Sequence, residues 1–307
     1  MQTVLITGGS GFVGQNLTRF LVESGYRVVI LSRSLEGKKN TDQVSYALWD
    51  LKKHSIDPAA ISAADYIIHL AGAGVVDKKW TDAYKQEILE SRTGSSKLII
   101  EALQNQPHRV KAIVSASAIG WYGPDKTPVI PFTETDPASD DFLGQTCRLW
   151  EQSIGAAERL GIRVCTLRTG IVLGNGGGAL AEFIKPVKFG IAGILGSGKQ
   201  AVSWIHINDL CRMYLFAIEN QPLRGSYNAV APLPVSNKEL TLTLAHTLRG
   251  KFFIPIHVPA FALKLIMGQR SIEVLKSTTV SAAKIKEAGF QFSFPGIEGA
   301  IHNLLKK

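Results

Sequence analysis

Glycines at positions 8, 11 and 14 are the first residues whose spacing implies chemistry. The segment Thr7-Gly8-Gly9-Ser10-Gly11-Phe12-Val13-Gly14 follows the apolar run Val4-Leu5-Ile6 and leads into an amphipathic stretch. In that context Gly8 permits a tight turn, Gly11 lets backbone approach a ligand, and Gly14 lets helix and strand pack closely. Ser10, Phe12 and Val13 then offer backbone N–H groups at the positive end of a helix, which holds a pyrophosphate without a cationic side chain. The next strand-like run ends in Ser32-Arg33-Ser34. Proteins that bind a dinucleotide lacking a 2′-phosphate normally carry an Asp or Glu here, on the ribose hydroxyl. A carboxylate would repel a 2′-phosphate, whereas Arg33 pairs with one, with Ser32 alongside. The pattern predicts NADP(H) as the cofactor. Asp50 and Leu51, just after Ala47-Leu48-Trp49, fall where the adenine would lie.

Placing these groups takes a parallel sheet. Short β-branched runs alternate with helical patterns, which predicts strands over 3–7, 27–32, 44–48, 66–70, 112–116, 163–168 and 227–230. Helices are predicted over 14–24, 58–63, 80–105 and 143–160. Alternation of this kind means βαβ units with right-handed crossovers. The fold class is therefore α/β: a Rossmann-type, doubly wound parallel sheet over 1–170, followed by a smaller, mostly helical substrate region over 171–307. Return strands are expected near 203–207 and 227–230. Within the second region Asn208 or Asp209 is expected to cap a helix, and further helices are predicted over 237–249, 259–267, 281–288 and from 295. Gly289 is placed as a C-cap.

The chain has 307 residues, with Lys+Arg 34 against Asp+Glu 25, a formal charge of +9. The pairs Lys38-Lys39, Lys52-Lys53 and Lys78-Lys79 are scattered, and no helix carries a continuous basic stripe. That excludes a nucleic-acid partner and leaves a general attraction for anionic small molecules. No run approaches the roughly 18–20 apolar residues of a membrane span. Met1 leads into Val4-Leu5-Ile6-Thr7 without a basic segment and long apolar core, so the cytoplasm is the expected location. Cys147, Cys165 and Cys211 are odd in number and widely spaced, which predicts buried thiols and no metal site.

The glycine loop, His69-Leu70-Ala71-Gly72, Ser115-Ala116-Ser117-Ala118 and Tyr122-Gly123 together resemble the extended short-chain dehydrogenase/reductases. The closer similarity is to an atypical, NAD-dependent epimerase/dehydratase-like branch, nucleoside-diphosphate-sugar epimerase-like, that ends in a helical domain of unknown function. Lys79-Trp80, 147–151, Leu167-Arg168-Thr169-Gly170, Trp204-Ile205-His206, 258–261 and 287–290 match it as well. The resemblance implies a six- or seven-stranded sheet, NADP(H), and a small-molecule pocket between sheet and C-terminal region. It also implies cofactor contacts from Leu70, Ala71, Gly72, Ser115, Arg168 and Gly170. It allows a homodimer paired through the 80–105 and 143–160 helices.

In that superfamily a Tyr moves the proton, a Lys four residues later holds the ribose, and a Ser orients the oxygen. Ser117 matches the Ser; its other role is to satisfy the strand end. If Arg148 stands in the Lys place, Gly144 stands in the Tyr place, and no suitable Tyr-x-x-x-Lys exists. Arg148 would then hold ribose hydroxyls or an acidic substrate, paired with Glu151. Two substitutes for the Tyr offer themselves. Tyr122 either swings toward the nicotinamide or packs in its turn, and His206 either serves as acid/base or fixes the turn before the next helix. Arg168 either borders the nicotinamide amide or is a buried structural residue. Two functions follow: an NADP(H)-dependent oxidoreductase or epimerase acting on a small polar, nucleotide-sugar-like substrate, or a non-catalytic NADPH-binding sensor or scaffold.

Overall fold

The computed structural model describes residues 1–305; the final two lysines lie outside the described residues. Its first half runs β1 (Thr3–Thr7), α1 (Phe12–Glu23), β2 (Arg27–Ser32), β3 (Val44–Asp50), β4 (Ser55–Ile56), α2 (Pro58–Ala63), β5 (Tyr66–His69), α3 (Asp82–Asn105), β6 (Ala112–Ala118), α4 (Phe142–Gly155) and β7 (Arg163–Thr169). An eighth strand, Gly225–Ala229, closes the sheet beside β7, giving the order eighth-β7-β6-β5-β1-β2-β3-β4. Every pair is parallel except the two-residue β4, which runs antiparallel to β3. The predicted strands are present, several of them shifted by one to two residues at an end, because strand ends depend on pairing partners and not on local sequence.

Alternation along the strands splits the core between the two faces. Leu5, Ile67, Ile113 and Val164 face α2, α3 and the end of α4. Val4, Ile6, Ile68 and Val114 face the other way, onto α1 and the helix Ile207–Glu219. Strands covered on both faces read as unbroken apolar runs, which is why they are visible in the sequence. Within α1, Gly14, Leu17 and Leu21 form the buried stripe at helical spacing. Side chains set the helix starts: Thr81 accepts from the Tyr84 amide at 3.2 Å and Asp141 from the Gly144 amide at 2.8 Å.

Residues beyond 170 share one core with the sheet. Trp204, Tyr214, Leu244 and Ile301 belong to the same buried cluster as Val4 and Leu17. This region holds more strand than the sequence suggests: Ile171–Leu173 pairs with Trp204–His206, and Ile191–Leu195 pairs with Ile254–Val258. The cap of Ile207–Glu219 is also a correction. His206 Nδ1, not Asn208 or Asp209, accepts the amide, at 3.0 Å from Asn208 N. Asp209 is buried and accepts instead from the amides of Ser293 and Phe294 at 2.9 and 2.8 Å, tying in the C-terminal segment. Gly289, with φ +98°, follows the Ala283–Glu287 helix as predicted. None of the described helices is long and apolar enough to cross a membrane.

Candidate functional site

The sheet order reverses direction between β1 and β5, and in doubly wound sheets the crevice for ligands lies at the C-terminal ends of the strands flanking that point. The Gly8–Gly14 loop rises from β1 there. Gly8 adopts φ +71°, and a Cβ on it would stand 2.9 Å from the Leu70 carbonyl carbon. A Cβ on Gly14 would meet the Gly8 oxygen at 2.3 Å and the Gly9 Cα at 2.6 Å, so the first turn of α1 lies directly on the loop backbone. Gly11 occupies the N-cap with no side-chain cap, and the first turn holds no acidic residue. The helix's positive end therefore faces the crevice without a counter-charge of its own. Phe12 is covered by the Gly174–Gly178 turn, where Cβ atoms on Gly174 and Gly177 would come within 2.7 and 2.9 Å of its ring.

Across the crevice, β5 ends in a hydrogen-bonded knot. The amides of Leu70 and Ala71 both donate to Thr7 Oγ1 at 3.1 Å, and that hydroxyl lies 2.7 Å from His69 Nδ1. Ser95 and Ser96 Oγ lie 3.3 and 3.2 Å from Nε2, and each donates its own proton to a carbonyl of α3. The arrangement assigns the ring proton to Nε2 and leaves Nδ1 as an acceptor. Burial pushes the His69 pKa down to about 3. The unfolded chain, with a histidine near 6.5, takes up a proton first as pH falls, so stability is full above 6.5 and is lost progressively toward 3. Thermal unfolding should show a loss on the order of 2 kcal/mol by pH 5 relative to neutrality. An unchanged midpoint between pH 7 and 5, or an identical acid slope in His69→Asn, would contradict this assignment.

The remaining cofactor candidates lie along the same edge. Ser32 and Arg33 end β2; Arg33 is exposed, and Ser32 Oγ donates to the Ser34 carbonyl at 2.6 Å. Asp50 accepts the amides of Lys52 and Lys53 at 2.8 and 3.1 Å, closing the turn beside Leu51. Gly72 follows Ala71 under the side chain of Arg92. Gly170 leaves no room for a Cβ, which would stand 2.5 Å from the Ser203 carbonyl.

The four residues considered for catalysis, Tyr122 and His206 for the proton, Ser117 for the oxygen and Arg148 for the ribose or an acidic substrate, are engaged elsewhere or exposed. Ser117 is buried and donates to Glu151 Oε1 at 2.6 Å; Ser115, on the same side of β6, is fully buried, and the accessible positions of the strand end are Ala116 and Ala118. Tyr122 donates to Asn228 Oδ1 at 2.6 Å and stacks on Phe132, and burial pushes its phenol up to about 12. His206 caps its helix and stacks on Phe294 at 3.9 Å, with burial holding its pKa below the ordinary range. Arg148 is exposed, on the side of α4 away from its buried residues Leu143, Gly144, Thr146, Cys147, Trp150 and Ile154.

Nor does Arg148 pair with Glu151. Arg168 holds that carboxylate with two bonds, Nε to Oε1 at 2.9 Å and Nη2 to Oε2 at 3.0 Å. Its Nη1 reaches Tyr122 Oη at 3.0 Å, and the guanidinium lies 3.6 Å over the Trp121 ring. Arg168 is thus a buried structural arginine, its donors already spent on protein and its side chain closed to a cofactor amide. The α4 positions that face the end of β6 and the turn after it are Leu143, Cys147 and Glu151. A Cβ on Gly120 would touch Leu143 Cβ at 3.2 Å, and Cys147 Sγ lies 3.6 Å from the Ala118 carbonyl. The helix is therefore rotated by one residue from the Gly144/Arg148 expectation. Leu143 and Cys147, an apolar side chain and a thiol raised by burial to about 11, face the sheet in place of the expected Gly144 and Arg148.

The start of α3, the start of α4 and segments 196–200 and 260–276 line an open cleft of about 1010 Å³. Trp80, Lys85 and Phe142 form one wall, with Trp80 edge-on to Phe142 at 5.3 Å. Of these residues only Trp80 stands out in the sequence, in the Lys79-Trp80 match; Lys85, Phe142 and Arg92 do not.

With this geometry in view, comparison with known proteins is direct. The model of the NAD dependent epimerase/dehydratase family matches residues 4–229, and a domain of unknown function, DUF1731, matches residues 258–304. An epimerase family protein of Staphylococcus aureus is 36% identical over 308 residues, covering 100% of each chain. The crystal structure of human epimerase family protein SDR39U1 with NADPH has a TM-score of 0.85 at 30% identity, covering 99% of each chain. The nucleoside-diphosphate sugar epimerase from Corynebacterium glutamicum has a TM-score of 0.77 at 31% identity, covering 99% of this chain and 58% of that one. From its glycine loop to its eighth strand the chain matches one family model, and it belongs to the NAD dependent epimerase/dehydratase family.

Proposed function

We propose that the chain is an NADP(H)-dependent oxidoreductase or epimerase that works on a small polar substrate in the cleft beside α3. The observation that carries this reading is the uncapped N-terminus of α1, seated on the backbone of Gly8 and Gly9 and facing the Leu70–Gly72 loop. Those residues fit a dinucleotide: amides without a side-chain cap meet the pyrophosphate, and Arg33, exposed at the end of β2 with no acid in its place, meets a 2′-phosphate. The relative solved with NADPH supports the same choice. Gly8, Ser10, Gly11, Phe12, Val13, Gly14, Ser32, Arg33, Asp50, Leu51, Leu70, Ala71 and Gly72 are the proposed contacts. When bound, the nicotinamide supplies or accepts a hydride.

The chain's own part is to orient and to shield. Phe142 and Trp80 make one wall apolar, and the Ser117–Glu151–Arg168 set holds α4 against β6 and β7. With Tyr122 tied to Asn228 and Cys147 kept as a thiol, the proton for a carbonyl oxygen comes from water. The same absence of a side-chain acid is what favours the second reading, an NADPH-binding sensor or scaffold. Three buried thiols fit a reducing compartment such as the cytoplasm.

Calorimetric titration tests the cofactor. NADPH should bind more tightly than NADH, and Arg33→Glu should weaken NADPH about 10–100-fold while shifting NADH by less than about threefold. No heat with either nucleotide refutes the reading. Oxidation of NADPH by some member of a carbonyl and nucleotide-sugar panel decides for the enzyme, and its absence, with a partner's affinity changing on NADPH addition, decides for the sensor.

A further inference from the structure

Arg92, in the middle of α3, lies against the Gly72-Ala73 segment that follows β5. Its Nη1 donates to the carbonyls of Ala73 and Ile88 at 3.0 and 2.9 Å, and its guanidinium carbon lies 5.0 Å from the Trp150 ring. A Cβ on Gly72 would stand 3.0 Å from that carbon, so the glycine opens the space the guanidinium fills. Two other inward-facing arginines make three or more hydrogen bonds each. Arg168 grips Glu151, and Arg163 donates to the carbonyls of Ala217, Ile218 and Leu223 at 2.7–2.9 Å. Arg92, like Arg163, has no carboxylate partner among the described residues, but it bonds through Nη1 alone, and its Nε and Nη2 have no acceptor there. Burial accordingly pulls its pKa down. A half-buried cation with no carboxylate partner and two free donors set in a fork has the geometry of an oxyanion receptor.

The approach to it is positive as well. Lys85 lies seven residues earlier on α3, two helical turns away and on the same face. It lines the cleft together with Lys264 and Lys276, and no carboxylate residue is among the lining. Lys276 is balanced by Glu273 at 2.8 Å, whereas Lys85 lies 5.7 Å from the centre of the Phe142 ring.

We propose that the substrate is an anion, and that Arg92 holds its carboxylate or phosphate group after passage along Lys85. This rests on the reading of the crevice as a dinucleotide site, because it places the anionic group beside the reacting end of the cofactor. It narrows the substrate class from polar to acidic and supplies a ligand for a charge that has no carboxylate partner among the described residues.

Calorimetry with malonate and with inorganic phosphate as probes tests it, on NADPH-loaded and cofactor-free protein, for wild type, Arg92→Met and Arg92→Lys. Wild type should bind at least one probe at a single site; Arg92→Met should weaken that binding at least about tenfold, and Arg92→Lys, which keeps the charge without the fork, by less. NADPH affinity should stay within about threefold in both variants. Which probe binds separates a carboxylate from a phosphate substrate. Absence of probe binding to wild type overturns the proposal, as does equal binding by wild type and Arg92→Met. A tenfold loss of NADPH affinity in Arg92→Lys with probe binding intact also overturns it, by assigning Arg92 to the cofactor. If wild type fails to bind NADPH yet binds a probe through Arg92, the dinucleotide reading falls and the anion site stands. Should Arg92→Met not fold, Arg92→Lys measured against wild type decides between the same outcomes.

Discussion

Gly14→Ala should lower NADPH affinity by more than about a hundredfold, close to 3 kcal/mol, while the protein still folds. The new methyl carbon would lie 2.3 Å from the Gly8 oxygen, 2.6 Å from the Gly9 Cα and 2.8 Å from the Gly9 carbonyl carbon. All three are backbone atoms, so no side chain can turn aside. Either α1 lifts away from β1 or the Gly8–Gly9 turn moves, and both displace the amides from the pyrophosphate. Lifting α1 also disturbs Leu17 and Leu21, both fully buried, and overpacking of this sort costs about 1–3 kcal/mol of stability. Gly11→Ala is the internal control. Its Cβ would lie 3.3 Å from the Gly8 oxygen, a contact relieved by a few tenths of an ångström, so the thermal midpoint should stay near wild type and any loss of affinity reports only on the close approach of the ligand to this backbone. If Gly14→Ala binds NADPH within threefold of wild type in the same calorimeter, the loop does not hold the pyrophosphate.

The glycine loop and the strands are legible because their requirements are local. A missing side chain at 8, 11 and 14 is a backbone demand written directly in the sequence, and a strand buried on both faces must be apolar throughout. The register of α4 against the sheet is less accessible. Gly144 and Leu143 are both buried, and choosing the wrong one rotates the helix by about 100°, which carries the exposed Arg148 into the expected site. The apolar series Leu143, Cys147, Trp150, Ile154 holds the correct answer. The partners of Ser117 and Tyr122 are harder still. Glu151, Arg168 and Asn228 reach them from α4, β7 and the eighth strand, and which face of β6 meets that cluster is a property of the packed sheet. Arg92 is hidden for another reason. It belongs to a helix whose buried side includes Ser95 and Ser96, so its inward face does not look apolar.

Removing one half of the Glu151–Arg168 pair should destabilise the protein more than removing both. Arg168→Met would leave the Glu151 carboxylate buried with only the hydroxyls of Ser117 and Ser226, at 2.6 and 2.8 Å, to solvate it. An orphaned buried charge of this kind costs about 3–5 kcal/mol. Glu151→Leu would strand the guanidinium in turn, with Tyr122 and the Glu134 carbonyl as its remaining partners. In the double variant neither charge is buried, and the apolar side chains pack against Trp121, so the loss should fall well below the sum of the two single losses and below the larger of them. The effect should also reach the cleft, because the same network runs through Ser226 and Asn228 to the C-terminal region: Lys284 Nζ donates to the Ser226 carbonyl at 2.7 Å and Asn228 Nδ2 to the Ser281 carbonyl at 3.0 Å. Thermal midpoints of the three variants decide the matter. A double variant that melts lower than both singles would mean that the pair itself, and not the avoidance of an unpaired charge, holds α4 on the sheet.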